Sequence, residues 1–234
     1  MPIKKHDFIN IDFIGSVTET GDIFDVTQES VAKKHNIHNP KANYHALTIC
    51  VGERHVVPGL DEFLEGKEPG TYTVQLTPEQ AFGKKDAKLM RLIPLNIFHQ
   101  HNMRPEPGLH INMDGAVGVV RSVSGGRVIM DFNHPIAGKN VTYNLTINKI
   151  ETDTKEKIKT IVTYLMPGLP YDYKEGTLTI KIEFPDQIKK MLTEKMQELL
   201  PEIKNVNYEP PPKTEEQQPQ KNTTKKEEKT STKV

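Results

Sequence analysis

The sequence is poor in cysteine: 234 residues contain one, Cys50. An internal disulfide is therefore excluded. The flanks Leu47, Ile49 and Val51 mark Cys50 as a small buried strand residue in a reducing compartment rather than a reactive thiol. Neither charge is in surplus. Lys+Arg and Asp+Glu both number 31, a formal net charge of +0, and this balance argues against nucleic acid as a partner, because phosphate binding needs clustered positive charge. No stretch approaches the ~20 apolar residues of a membrane span. The start, Met1-Pro2-Ile3-Lys4-Lys5-His6-Asp7, lacks the apolar run of a signal peptide. The expectation is a cytoplasmic protein that engages no membrane. A GxSxG turn, a phosphate-binding glycine loop and a zinc-type cysteine pair are all absent. His35 with His38, and His99 with His101, have no carboxylate or thiol at matching spacing, so they read as exposed loop residues. No metal and no cofactor is expected.

What is present is mostly strand pattern. Ile9, Ile11 and Phe13 alternate with Asn10 and Asp12, a half-buried strand over 7–14. The Thr20-Gly21-Asp22 turn leads to Ile23-Phe24-Asp25. Residues 47–51 form a short apolar strand. Pro58-Gly59 opens a short helix with Leu60, Phe63 and Leu64 at helical spacing, and residues 71–76 alternate again. After an interruption, Val141, Tyr143, Leu145 and Ile147 supply one more alternating strand. The interruption, 85–131, carries strands at 89–93 and 117–123 and a hairpin through Ser124-Gly125-Gly126 into 128–130. The pattern predicts an α+β fold: an antiparallel sheet on a short helix (1–84 and 132–151), with a small β-rich domain inserted at 85–131.

From 152 the pattern changes. Ile158, Ile161, Val162 and Leu165 predict a helix over 154–166. Leu178, Ile180, Ile182 and Phe184 predict a strand over 177–184. Pro185-Asp186 opens a second helix, and 203–208 is a last strand. This C-terminal α+β domain, 152–209, is too small to bury all its apolar residues alone. An exposed apolar face is expected, which a second copy of the chain could cover in a homodimer; the alternative is that this domain packs on the first domain and only stabilises it. Residues 210–234 hold almost nothing to bury and read as a disordered tail.

Single motifs at the strand ends are weak, but together they point one way. Phe24-Asp25 after the Gly21 turn, Val56-Val57-x-Gly59-Leu60 and Ala81-Phe82-Gly83 resemble the FKBP-type prolyl isomerases. Asn133-His134-Pro135-Ile136-Ala137-Gly138 resembles the Asn-His-x-x-Ala-Gly stretch of the SlyD-like branch. The insertion after Phe82-Gly83 stands where that branch carries its insert-in-flap chaperone domain. With the extra domain, the chain looks like the long-chain archaeal type. The resemblance implies a peptidyl-prolyl cis/trans isomerase and folding chaperone for unfolded chains and their Xaa-Pro segments. It implies Asp25, Phe24, Phe82 and Val57 as catalytic residues, and Phe13, Leu47, Val56, Leu60, Ala81 and Tyr143 as substrate-binding residues. Phe13 and Phe82 stand where the family usually has tyrosines, so two hydroxyls are lost. Leu60 stands where single-domain members often have tryptophan. The tail has no histidine, so the metal-binding role of such tails in that branch does not carry over.

The chemistry asks for no nucleophile. Twisting an amide costs ~18–20 kcal/mol because it destroys C–N resonance. The twisted state is less dipolar than the planar one, so an apolar pocket favours it. In the insert, Met90, Met103, Met113 and Met130, with Ile93, Leu95, Ile97, Phe98, Leu109 and Ile111, suggest an adaptable apolar surface for many partners. A holdase with a vestigial pocket is the competing expectation.

Overall fold

The computed structural model describes residues 1–113 and 115–210. The tail expected over 210–234 therefore falls, apart from Pro210, outside the described residues. The chain begins with β1 (Phe8–Val17), β2 (Ile23–Val26), α1 (Glu29–Lys34), β3 (Leu47–Cys50), α2 (Pro58–Leu64) and β4 (Gly70–Leu76). It continues with β5 (Met90–Pro94), α3 (Leu95–Gln100), β6 (His110–Met113), β7 (Ala116–Ser124) and β8 (Arg127–Asp131). Then come β9 (Val141–Ile150), α4 (Thr154–Leu165), β10 (Tyr171–Lys174), β11 (Thr177–Ile180), α5 (Asp186–Leu199) and β12 (Asn205–Tyr208). Among the described residues no helix is long and apolar enough to cross a membrane. The α+β character expected from the sequence is what the structure has.

β1 is the spine of the first sheet. On one side it pairs antiparallel with β9, which pairs in turn with β4. On the other side lie two short strands end to end: β3 against Phe8–Ile11, and β2 against Ile14–Ser16. The alternation has its usual cause, successive side chains pointing to opposite faces. Ile9, Ile11 and Phe13 are buried on the face that α2 covers through Leu60 and Leu64. Asn10 and Asp12 lie on the opposite face. Pro58 suits the first turn of α2, where its missing N–H costs nothing.

The second sheet, in order β5-β8-β7-β6, closes over Phe98 of α3, with Ile111, Val120, Val128 and Met130. Gly125 and Gly126, with φ of +55° and +73°, make the two-residue turn that a twisted hairpin needs. α3 and β6 were not legible from the sequence pattern, being only 6 and 4 residues long. The insert's base is fixed by Asp131, which is 2% exposed. Lys85 Nζ donates to it at 2.9 Å, Arg121 Nη2 at 2.8 Å, and Asn133 Nδ2 at 2.8 Å. Burial alone pushes its carboxyl up, but the hydrogen bonds from Lys85, Asn133 and Arg121 win and hold it far below the usual carboxylate range.

The third sheet corrects the expected strand at 177–184. The strand stops at Ile180, where the Ile182 N–H bonds back to Ile180 O at 3.0 Å and turns the chain. Its missed partner β10 precedes it, joined through Glu175-Gly176, both with positive φ. β12 adds parallel to β11.

The expected exposed apolar face is present in part: Ile188 and Met191 on α5 stay exposed, while most of the other apolar residues turn inward. Ile158, Ile161, Leu178, Ile180, Met196 and Leu199 are all buried, and the cluster they form includes Phe8 of β1 and Cys50 of β3. The sheet of the first unit thus lends two apolar residues from its otherwise polar face. Burial pushes the Cys50 thiol up to about 12, with the Glu53 charge adding to it. At the same junction Tyr164 Oη donates to Arg54 O at 3.1 Å, and Lys195 Nζ meets Glu53 at 2.8 Å. The His55 ring stacks on Tyr164 at 3.9 Å between centroids, while its Nδ1 accepts the Cys50 N–H at 3.2 Å.

Two outcomes follow from the junction. Phe8→Ala should cost about 3–5 kcal/mol, the usual range for a buried phenylalanine, read as a lowered urea midpoint. Burial lowers the His55 pKa, against the opposing charges of Glu53 and Asp61. The folded state therefore binds fewer protons at His55 than the unfolded chain, and stability falls as pH drops below the ordinary histidine value of ~6.5. Urea unfolding from pH 7.5 to 5 should show that fall, and His55→Gln should flatten it.

Candidate active site

The residues singled out by the motifs meet at one end of the first sheet. Phe13 on β1 and Tyr143 on β9 are neighbours across the ladder, with ring centroids 5.7 Å apart. Tyr143 meets Phe24 of β2 at 5.9 Å, and Phe24 meets Phe82 at 5.5 Å with ring planes at 89°. These are edge-to-face contacts, the arrangement aromatic quadrupoles prefer. The chain of rings ends on His134, whose ring lies flat on Phe82 at 4.9 Å and 3°. Leu60, 1% exposed, belongs to the same core, and Val56, Val57 and Ala81 pack partly buried against it. Leu47 packs on the same core from β3.

Gly15 makes this convergence possible. A Cβ there would lie 2.8 Å from Phe24 Cζ and 3.0 Å from Tyr143 Cε1. Only a residue without a side chain lets the Phe24 ring cross the strand. Gly15 pairs with Asp25, and the ladder shifts register between Gly15 and Ser16. Such an irregularity re-aims the side chains beside it.

Asp25 is exposed to solvent on its outer side. Burial of its carboxyl nevertheless raises its pKa, and the Val26 N–H offsets part of the rise. Burial, together with the Asp25 charge, also raises the pKa of Tyr143 and keeps its hydroxyl protonated. A hydroxyl therefore stands near Asp25 after all, carried by β9 rather than by position 13.

Val57 precedes α2, and its carbonyl accepts the N–H of Leu60 at 2.9 Å and of Asp61 at 3.0 Å. Its own N–H donates to no group of the chain among the described residues. Asp61 fixes the turn before it: buried, it accepts the N–H of Gly52 and of Arg54, both at 2.9 Å. Arg54 has a positive φ of 56°, a conformation held by such bonds.

Asp61 and His134 were missed as site residues. The signal for His134 was its place in the Asn-His-x-x-Ala-Gly motif. Asp61 had no sequence signal beyond a charge on the apolar side of a short helix. Among the described residues no three His, Cys, Asp or Glu side chains come together at metal-binding distance.

This fold and pocket define a class. The model of the FKBP-type peptidyl-prolyl cis-trans isomerase family matches residues 1–96, and the model described as "FKBP26, IF domain" matches residues 91–136. The chain belongs to the FKBP-type peptidyl-prolyl cis-trans isomerases, a family of enzymes. Its relatives include the short-type peptidyl-prolyl cis-trans isomerase of Methanocaldococcus jannaschii, 30% identical over 155 residues, covering 66% of this chain and 98% of that protein. A probable FKBP-type 16 kDa isomerase of Pseudomonas fluorescens is 35% identical over 106 residues, covering 43% of this chain and 69% of that protein. The FKBP-type isomerase SlyD of Vibrio cholerae is 30% identical over 117 residues, covering 48% of this chain and 58% of that protein.

Gly15→Ala tests the geometry. It should cost about 1–3 kcal/mol of stability, as overpacking does, and should lower kcat/KM on a proline peptide by displacing Phe24.

Proposed function

We propose that this protein isomerises Xaa-Pro bonds in unfolded or partly folded polypeptides, in the cytoplasm, and holds those polypeptides on its inserted sheet. The observation that carries the reading is the chain of rings Phe13, Tyr143, Phe24 and Phe82 beside the Asp25 carboxylate. Those rings and Leu60 offer an apolar surface that favours the twisted, less dipolar amide. Val56, Ala81 and Leu47 shape its edges. In this reading the Val57 N–H, which donates to no group among the described residues, donates to a substrate carbonyl, and Asp25 biases the twist by its charge.

The capture surface differs in chemistry from the methionine-rich one expected. Phe98, Ile111 and Met130 are consumed by the insert's own core. The insert instead exposes Leu92, Val117 and Ile129, and also Leu89, Met90 and Leu109. Leu92 and Ile129 are cross-strand partners, so they form one patch. An apolar patch of this kind on a small sheet favours binding of unfolded chains. On α5, Met191 and Ile188 are exposed at 61% and 38%, and they are the surface we propose for pairing with a second copy.

The direct test is refolding of a protein whose slow phase, ~10–100 s, is prolyl isomerisation. Substoichiometric protein should accelerate that phase, and an unchanged rate would overturn the enzymatic role. Asp25→Ala should reduce the acceleration roughly tenfold, about 1.4 kcal/mol of transition-state stabilisation. Because the Asp25 pKa is raised, activity that needs its charge should decline on acidification before an ordinary aspartate, at ~3.9, would titrate. Deleting residues 85–131 should leave turnover of a short peptide in place and cut turnover of an unfolded protein by roughly a hundredfold, the scale on which tethering raises effective concentration.

A further inference from the structure

A cleft of about 490 Å³ lies between β3 and α4, away from the ring chain. One wall is the run 46–49, and the other is Thr160, Thr163 and Tyr164. Three features decide what it can hold.

The first is backbone. Val51 N donates to Asp7 O, while Phe8 O accepts from Glu151 N on the β9 side. Residues 7, 9 and 11 of β1 therefore turn their peptide groups to β3, where Ile9 faces Ile49 and Ile11 faces Leu47. The peptide groups of Thr48 and Cys50 point the other way, to the free edge of the sheet. The Cys50 N–H is taken by His55, as described. The N–H and carbonyl of Thr48, a residue that lines the cleft, face this free edge, and no strand pairs with them among the described residues. An edge of this kind accepts another strand.

The second feature is charge. The charged groups in the lining are already matched: Lys149 meets Glu151 at 2.7 Å, and Lys159 meets Glu156 at 3.4 Å. A site for an isolated anion or cation would leave one sign uncancelled. This lining suits a neutral polar chain.

The third is continuity. Leu47 packs on the core that carries the isomerase rings, and it also lines the cleft. β2, which carries Phe24 and Asp25, and β3 share the same edge of β1. A polypeptide leaving the pocket along that edge runs into the cleft.

We propose that this cleft binds the extended segment flanking the proline held in the isomerase pocket, by adding it as a strand to β3 at Thr48. The His55–Tyr164 stack forms an apolar wall for its side chains. The inference rests on the isomerase reading of the pocket and extends it to a longer substrate: specificity then depends on residues several positions from the proline.

The test uses the full chain with fluorescent proline peptides of four residues, and of twelve residues extended on the N-terminal or the C-terminal side. Anisotropy and kcat/KM are both recorded. In the native protein, one of the two extensions should bind roughly tenfold more tightly than the four-residue peptide and raise kcat/KM to match, about 1.4 kcal/mol. Thr48→Pro removes the free donor and leaves the backbone ladder to β1, at the loss of the Thr48 Oγ1 that accepts from Asn10 Nδ2 at 3.2 Å, and Thr163→Trp fills the cleft from the exposed side of α4. Each should bring the ratio of long to short peptide back toward one. Should Thr48→Pro fail to fold by circular dichroism, Thr163→Trp alone carries the test. No length advantage in the native protein, or one that survives the variants, overturns the proposal. A twelve-residue peptide that binds in a Thr163-sensitive way, with no isomerisation of either peptide, would keep the cleft and overturn the isomerase reading.

Discussion

The structure depends on both faces of one strand being used. β1 turns Ile9, Ile11 and Phe13 toward α2 and builds the isomerase core, and from the same strand Phe8 turns outward into the C-terminal core. A half-exposed sheet normally keeps its outer face polar. Here the outer face is polar at Asn10 and Asp12 and apolar at Phe8 and Cys50, and the second core begins there. The pocket and the junction are therefore ends of one rigid ladder, with Gly15 and Phe8 seven residues apart on the same ten-residue strand.

Within that frame the pocket is a problem of steric placement more than of charge. Four rings approach edge to face because a glycine lets one cross the strand and a bulge re-aims its neighbour. The carboxylate adds a field, and the tyrosine on β9 restores a hydroxyl near it. None of these groups has to gain or lose a proton for an amide to rotate. What matters is that the walls stay put, and the buried Asp61, by holding the turn before Val57, serves that end.

Much of this was legible from residue order alone. The alternation over 7–14 and 141–150 announced the spine, and the Phe24-Asp25, Val56-Val57 and Ala81-Phe82-Gly83 segments announced which residues would converge. The turn glycines at 125–126 announced their hairpin. Elements of four to six residues, such as α3, β6 and β10, were not legible, because so short a run has no period to read. The C-terminal apolar residues divide between burial and exposure for a physical reason. Phe8 and Cys50 break the polar alternation of the neighbouring sheet and cover part of the unit, while Ile188 and Met191 on α5 stay exposed. The insert divides in the same way: Phe98 and Met130 fill the interior that a sheet of four short strands needs, while Met90 and Leu109 stay exposed on a unit too small to hide all its apolar residues.

The insert's attachment has a consequence for how such a chain can change over time. Its entry and exit are tied to each other: Gly138 N donates to Gly83 O at 2.8 Å, and Asp86 N donates to Asn133 Oδ1 at 2.8 Å. The host sheet therefore meets everything between as a loop of nearly zero span. Closing a loop costs only ~0.6 kcal/mol for each doubling of its length, so growing from a turn of about five residues to one of about fifty adds roughly 2 kcal/mol. A graft at this point is cheap for the scaffold whatever its content. The isomerase domain and the insert are thus free to evolve at different rates, joined by a seam that transmits position but little of the thermodynamic burden of either.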